Sequence, residues 1–277
     1  MNKEKIGVGV ITCNRPNYVK RLLGNLNVCE DIDELVVVND GESLPDSKEL
    51  PGTWIENIKN LGVAKTKNKA LQFLLNKSCK NIFLIEDDVI IKKPETFSVY
   101  IEAAKQTNIK HFNYGPGTPF NRKQTTTFDI HNRHELSTDA EANPKLIIDY
   151  KTVRIALYEH VAGMFSFFHN SVLEKVGLFD ERFFNAWEHV EHTYRIIKAG
   201  FHPPFWWFAD IADSETYIGE YKDAIQNSAI SKNTDQWMLN VKKGQELYKQ
   251  IHGHYPNQPP FATKDVVLQT LKRIKNG

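Results

Sequence analysis

The chain has 277 residues, 41% apolar and 25% charged, a globular balance that sets aside a disordered or low-complexity protein. Its 35 basic and 34 acidic side chains leave a formal charge of +1, so no global field draws it to nucleic acid or anionic lipid, although a local basic groove would not show in that sum. Cys13, Cys29 and Cys79 form neither an even set nor a metal-like spacing, the N-terminus lacks the apolar stretch of a signal peptide, and the longest apolar runs are too short to span a bilayer. A reduced, cytoplasmic setting is the expectation.

Residues 6–12 form a β-rich run that ends in polar Thr12-Cys13-Asn14-Arg15. Pro16 then opens a helix with Val19, Leu22, Leu23 and Leu26 on one face. A second strand, Leu35-Val36-Val37-Val38, closes at Asn39-Asp40-Gly41, and residues 53–57 suit a third. Asn60-Leu61-Gly62 precedes an amphipathic helix through Ala70, Leu71, Leu74 and Leu75. Residues 81–85 are a fourth strand running into Glu86-Asp87-Asp88, and a helix follows Pro94 to about Ala104. Alternating helices and apolar strands indicate an α/β fold: a mostly parallel sheet covered on both faces. Such sheets bind ligands along the carboxyl edge of their strands, where the clusters at 12–15, 40 and 86–88 all fall.

The second half is less regular. Residues 111–149 read as loops and short hairpins, and residues 155–168 as a strand with Gly163 inside it. A helix starts at Val172, and a second spans 186–199 with Gly200 as its stop. Residues 204–208 suggest a short aromatic strand, with Phe205 and Trp207 facing the core. From about residue 215 the chain becomes a polar tail with two helices.

Glu86-Asp87-Asp88 carries the strongest chemistry. Clustered carboxylates at a strand end are hard oxygen ligands, suited to Mg2+ or Mn2+ bridging a diphosphate; the bland alternative is a solvated acidic turn. The run Phe83-Leu84-Ile85-Glu86-Asp87-Asp88-Val89 with Pro94-Glu95 resembles the DXD segment of GT-A glycosyltransferases, in the EDD version of animal N-acetylglucosaminyltransferases. Four further blocks resemble family 2 enzymes in the right order. Val10-Ile11-Thr12-Cys13-Asn14-Arg15 is similar to "T-x-N-R" and Val38-Asn39-Asp40-Gly41 to "V-D-D-G". Asn60-Leu61-Gly62 through Lys67-Asn68 is similar to "N-x-G…A-R-N". Phe179-Asp180-Glu181 and Trp187-Glu188-His189-Val190-Glu191, ending at Arg195 and Gly200, are similar to "F-D-E…E-D-x-D…R…G".

This resemblance implies a GT-A domain over residues 1–214, with a nucleotide-sugar half (1–108), an acceptor half (109–214) and a helical tail (215–277). It implies inverting transfer from a UDP-sugar to a hydroxyl of a glycan or another acceptor, assisted by Mn2+ or Mg2+. Asp40 would meet the uracil ring, and Thr12, Asn14, Arg15, Asn60 and Asp87 would line the nucleotide pocket, with Lys67 at the diphosphate. Asp88 would ligate the metal, and Glu86 would act through water or hold the sugar. The base would stand at Glu188, His189 or Glu191, His189 occupying the place where the family usually has Asp. Trp187 would stack on an acceptor sugar. Asp210 and Asp213 are candidates for a further metal ligand.

Each assignment has a structural counterpart: Thr12 and Asn14 as turn and cap, Lys67 as a solvated helix lysine, His189 as a packed histidine, Trp187 as core. His189-Val190-Glu191-His192 is one residue short of a zinc-hydrolase helix, which sets that chemistry aside. No glycine-rich phosphate loop follows the first strand, against a sugar-nucleotide nucleotidyltransferase; a carbohydrate-binding homologue without activity is the other rival. Val266, Val267, Leu271 and Ile274 with Lys264, Lys272, Arg273 and Lys275 make a basic amphipathic segment, which either docks on the domain or contacts a membrane surface.

Overall fold

The computed structural model describes residues 4–29, 31–124, 139–201, 208–221, 223–224, 227, 234–256 and 263–276. The first half runs β1 (Ile6–Thr12), α1 (Pro16–Leu26), β2 (Glu34–Asn39), β3 (Thr53–Glu56), α2 (Val63–Asn76), β4 (Asn81–Glu86), β5 (Val89–Ile91) and α3 (Thr96–Thr107). The second half runs β6 (His111–Asn113), β7 (Leu146–Tyr150), β8 (Val153–Tyr158), β9 (Phe165–His169), α4 (Asn170–Val176) and α5 (Glu188–Lys198). It continues through β10 (Phe208–Ile211), β11 (Ile218–Glu220), α6 (Thr234–His252) and α7 (Lys264–Asn276).

The central sheet has the order β3-β2-β1-β4-β9-β6. The first four strands are parallel, and β9 is antiparallel to both neighbours. Period-two alternation divides the apolar residues between two cores. Ile6, Val8 and Val10 of β1 pack with α1, α3 and α7 residues such as Leu22, Phe97 and Leu271. Val36 and Val38 of β2 face the other way, toward α2, α4 and α5 residues such as Leu71, Val172 and Ile196. On this second face β1 presents glycine: a Cβ on Gly9 would lie 2.9 Å from the Ala70 side chain and 3.0 Å from that of Leu84. The missing side chain lets α2 lie close against the middle of the sheet, which matters because α2 carries Lys67.

Several expected elements change on inspection. Residues 155–168 are not one strand: β8 pairs with β7 and β10 in a separate three-stranded sheet, whereas β9 joins the central one. The intervening turn delivers Gly163 and Met164 to the end of β4, where the Glu86 N–H donates to the Met164 carbonyl at 2.7 Å. The helix after Pro94 continues to Thr107, and Asn108 stops it in a left-handed conformation with φ of 61°. Of the expected aromatic strand, residues 204–207 lie outside the described residues, and Phe208 opens β10. The stretch after residue 214 is not purely helical, since β11 pairs with β5 directly after the carboxylate triplet. No helix among the described residues is long and apolar enough to cross a membrane.

The terminal helix α7 spends its apolar side on the domain. Val267 and Leu271 are each 1% exposed in the main core, and Asn108 Nδ2 donates to the Ile274 carbonyl at 2.7 Å; only Val266 of the apolar set is largely open. Leu271→Ala should therefore cost ~2–5 kcal/mol of stability, read as a lowered urea midpoint. A midpoint equal to the parent's would mean that α7 does not dock.

Candidate active site

The carboxyl edge of the parallel strands gathers the polar clusters. β1 ends at Thr12, β2 runs into Asp40, and β4 ends at Glu86, their positions set by the pairing of Thr12 with Asn39 and of Ile11 with Glu86. Asp87 is fully buried beneath this edge. Thr12 Oγ1 donates to Asp87 Oδ2 at 2.5 Å, and Arg15 Nε donates to the same oxygen at 3.2 Å. Arg15 Nη2 pairs with Asp87 Oδ1, and Nη1 donates to Asp88 Oδ2 at 3.0 Å. The guanidinium fork thus spans two adjacent carboxylates, a bidentate arrangement that lysine could not reproduce. Burial and the neighbouring Asp88 push Asp87 up to about 7 despite Arg15. Asp88 is raised too, again first by burial.

Asp88 Oδ1 is buried with no hydrogen-bond partner. An orphaned carboxylate oxygen is costly unless a cation or donor completes it, and Glu86, two residues earlier in the chain, is a second, partly exposed carboxylate. Among the described residues no three His, Cys, Asp or Glu side chains converge as a metal cage. One or two carboxylates completed by phosphate oxygens and water are what Mg2+ or Mn2+ ordinarily needs, so the donor set fits such an ion shared with a diphosphate.

The nucleotide-side candidates divide. Asp40 is 4% exposed and fastens the following loop: Oδ1 accepts from Asn57 Nδ2 at 2.7 Å and the Leu61 N–H at 2.8 Å, and Oδ2 from the Gly62 N–H at 2.9 Å. One acceptor position on Oδ2 is left over. Asn14, left-handed with φ of 55°, uses its side chain to accept from the Glu42 N–H at 2.7 Å, a turn role. Asn60 accepts from the Gly62 N–H at 3.0 Å and reaches Cys13 Sγ at 3.5 Å.

Lys67 is not a solvated helix lysine. It lies on the buried stripe of α2 with Ala64, Leu71 and Leu74, at 2% exposure. Its Nζ donates to the Gly163 carbonyl at 2.9 Å and pairs with Glu86 Oε1 at 3.1 Å and Glu188 Oε1 at 3.2 Å. Burial opposes its charge, but Glu86 and Glu188 hold its pKa above the ordinary lysine value.

Glu188 opens α5 and is 3% exposed; His189 Nδ1 lies 3.0 Å from the same Oε1. Burial works against ionised Glu188, yet the His189 ring and Lys67 hold it well below the usual carboxylate range. A charged acceptor at this distance places the ring proton on Nδ1 and leaves Nε2 as the basic nitrogen. The His189 side chain is 21% exposed, so the imidazole reaches the surface that its carboxylate partner does not. Glu191 points elsewhere: both oxygens accept from Arg195 Nε, at 2.8 and 3.0 Å, and Oε1 lies 3.2 Å from His252 Nε2 of α6. Trp187 is also engaged by α6, donating from Nε1 to the Val241 carbonyl at 3.1 Å and packing against Gly244.

Asp210 and Asp213 take other partners. Asp210 is fully buried and accepts from Tyr100 Oη, the Gly115 N–H and the Ile211 N–H at 2.7 to 2.8 Å, while exposed Asp213 pairs with Arg154 at 3.2 Å. Burial pushes Asp210 up to about 7 in spite of those bonds. A carboxyl raised by folding contributes stability that is fully present below its unfolded pKa of about 4 and is lost as pH rises through about 7. Asp210→Asn should flatten that decline, read as urea midpoints at pH of about 5 and 8; an unchanged slope would remove Asp210 from the pH dependence.

A mostly parallel sheet with one antiparallel inner strand, gathering carboxylates at its carboxyl edge, is the GT-A glycosyltransferase fold. No family model matches the chain. It is 23% identical over 257 residues to an uncharacterized glycosyltransferase of Acanthamoeba polyphaga mimivirus, covering 87% of this chain and 91% of that one. Among solved structures, S. aureus TarS in complex with UDP-GlcNAc is similar with a TM-score of 0.53 at 13% identity, covering 98% of this chain and 72% of the other. The mannosyltransferase PcManGT from Pyrobaculum calidifontis, in complex with GDP-Man and Mn2+, gives a TM-score of 0.47 at 14% identity. That match covers 73% of this chain and 54% of the mannosyltransferase.

Proposed function

We propose that the protein is a metal-assisted, inverting glycosyltransferase that moves a sugar from a UDP-sugar to an acceptor hydroxyl, most naturally on a glycan. The observation that carries this reading is the meeting, across Lys67, of the Glu86-Asp87-Asp88 edge with the Glu188–His189 pair. One group binds a diphosphate through a cation, and the other takes a proton; a transfer reaction needs both within one crevice.

Asp88, through its unpartnered oxygen, would hold Mn2+ or Mg2+, with Glu86 as the second carboxylate, directly or through water. The ion would offset the charge that develops on the departing diphosphate. Thr12 and Arg15 keep Asp87 and Asp88 in place, and the spare position on Asp40 Oδ2 suits a uracil N–H. His189 Nε2 removes the proton from the acceptor hydroxyl as its oxygen attacks the anomeric carbon, on the side away from the leaving group. Glu188 fixes the tautomer and stabilises the imidazolium that forms. Glu191 and Trp187 belong to the scaffold that anchors α5 to α6, so the acceptor side is shaped by other residues.

A panel of nucleotide sugars, tested for manganese-dependent binding and turnover, tests this reading. Asp88→Asn should abolish manganese-dependent UDP binding with the fold intact; an affinity equal to the parent's would exclude Asp88 as the ligand.

The base is tested separately. His189→Gln should lower kcat by roughly 10²–10⁴-fold with donor affinity nearly unchanged, whereas Glu191→Gln should lower stability more than turnover. Near-parental transfer by His189→Gln, with loss in Glu188→Gln, would make Glu188 the base. Binding of UDP-sugar without any turnover would mark a carbohydrate-binding homologue instead.

A further inference from the structure

We propose that Lys67 is a positioning residue: its buried ammonium ties Glu188, and through it His189, to Glu86 at the end of β4. The proposal rests on the glycosyltransferase reading above and departs from the diphosphate role that the resemblance implies for this lysine.

The donor inventory decides between the two roles. An ammonium has three N–H donors. Lys67 donates to the Gly163 carbonyl at 2.9 Å and to Glu188 Oε1 at 3.2 Å, and its charge pairs with Glu86 Oε1 at 3.1 Å. Protein atoms surround the ammonium on all three sides, and at 2% exposure it offers little surface to a phosphate oxygen. Its three partners belong to three pieces of chain that are distant in sequence: the end of β4, the turn before β9 and the first residue of α5.

Glycine at 163 is required for this meeting. A Cβ there would lie 2.7 Å from Lys67 Nζ and 3.0 Å from His189 Nδ1, so any side chain would push the lysine and the imidazole off the same stretch of backbone. Lys67 and His189 also share one acceptor, Glu188 Oε1. Without the lysine, that carboxylate would lose its cationic partner and be free to swing, and the Nδ1–H contact that orients the ring would loosen.

The test compares the parent with Lys67→Arg, Lys67→Met and the double variant Lys67→Met/Glu188→Gln, which removes the carboxylate that the single change strands. UDP affinity in the presence of Mn2+ is measured by calorimetry, kcat and donor KM by transfer. The His189 ring is followed by its ¹⁵N spectrum, assigned against His189→Gln. Lys67→Met should lower kcat by roughly 10²-fold or more while UDP affinity and donor KM stay within about threefold. Lys67→Arg should recover part of kcat. The ring spectrum should move from the Nδ1–H tautomer toward a mixture of the two tautomers in Lys67→Met, a readout that does not depend on turnover. The double variant, folded and still binding UDP, should be as slow as Lys67→Met.

A fall in UDP affinity parallel to kcat would make Lys67 a phosphate ligand and overturn the proposal. So would an unchanged ring spectrum with unchanged kcat, which would make it packing only. A parent inert toward every nucleotide sugar, whose ring spectrum nonetheless answers to Lys67, would overturn the glycosyltransferase reading and leave the positioning role standing.

Discussion

The arrangement depends on one buried cation. Removing an ammonium from water is expensive, and Lys67 is tolerated only because two carboxylates and a carbonyl surround it. The dependence is mutual: Glu188 is as deeply buried as the lysine, and losing either partner would strand the other at about 3–5 kcal/mol. The penalty makes the site cooperative, for β4, the turn before β9 and the start of α5 must all be in place before the full set of contacts around the ammonium is made. A buried ion pair is weak evidence for net stability, but here it ties together elements that the hydrophobic cores alone would not hold in register.

The sheet makes the meeting possible. Parallel strands bring Thr12, Asp40 and Glu86 to one edge, but they also place every following helix on a face, away from that edge. The antiparallel strand β9 solves this by bringing the chain back: it starts where β4 ends, so its preceding turn lies across the carboxylates. From β9 the chain passes through α4 to α5, whose first residues return to the same edge. A second buried network secures that return. His111 of β6 stacks on Phe168 of β9 and lies 2.9 Å from the Thr193 hydroxyl of α5, while Asn113 accepts from Ser166 at 2.8 Å.

Much of the first half was legible because its signals are local. Continuous apolar strands, a proline at the start of α1 and polar residues at strand ends each report on a few neighbouring residues. The second half was harder because its structure depends on distant partners. Residues 155–168 have strand composition throughout, and nothing in that run says that β8 and β9 join different sheets. Strand β5 has three residues and is defined by β11, more than a hundred positions later. Lys67 was legible in part, since its spacing from Ala64, Leu71 and Leu74 puts it on the apolar stripe of α2. A lysine there announces burial, and a buried lysine announces acidic partners. Which acids they are needed the fold.

Helix α5 shows how one short element serves two ends. Its first turn carries Glu188 and His189 toward Lys67 and Gly163, whereas Glu191, one turn on, is turned into the scaffold. Glu191 engages Arg195, which in turn donates to the carbonyls of Val176 and Leu178, and it also meets His252 of α6. A carboxylate held on both oxygens by a guanidinium and touched by an imidazole is poorly suited to take a substrate proton, because protonating it would break the contacts that hold the helix. Glu188 has the same disability for a different reason: with Lys67 and His189 both on Oε1, its affinity for a proton is low. His189 Nε2 has neither constraint, for its partner nitrogen is occupied and its ring reaches the surface. In a helix that otherwise spends its acids on holding the fold together, the proposed base is the side chain whose second ring nitrogen takes no part in those ion pairs.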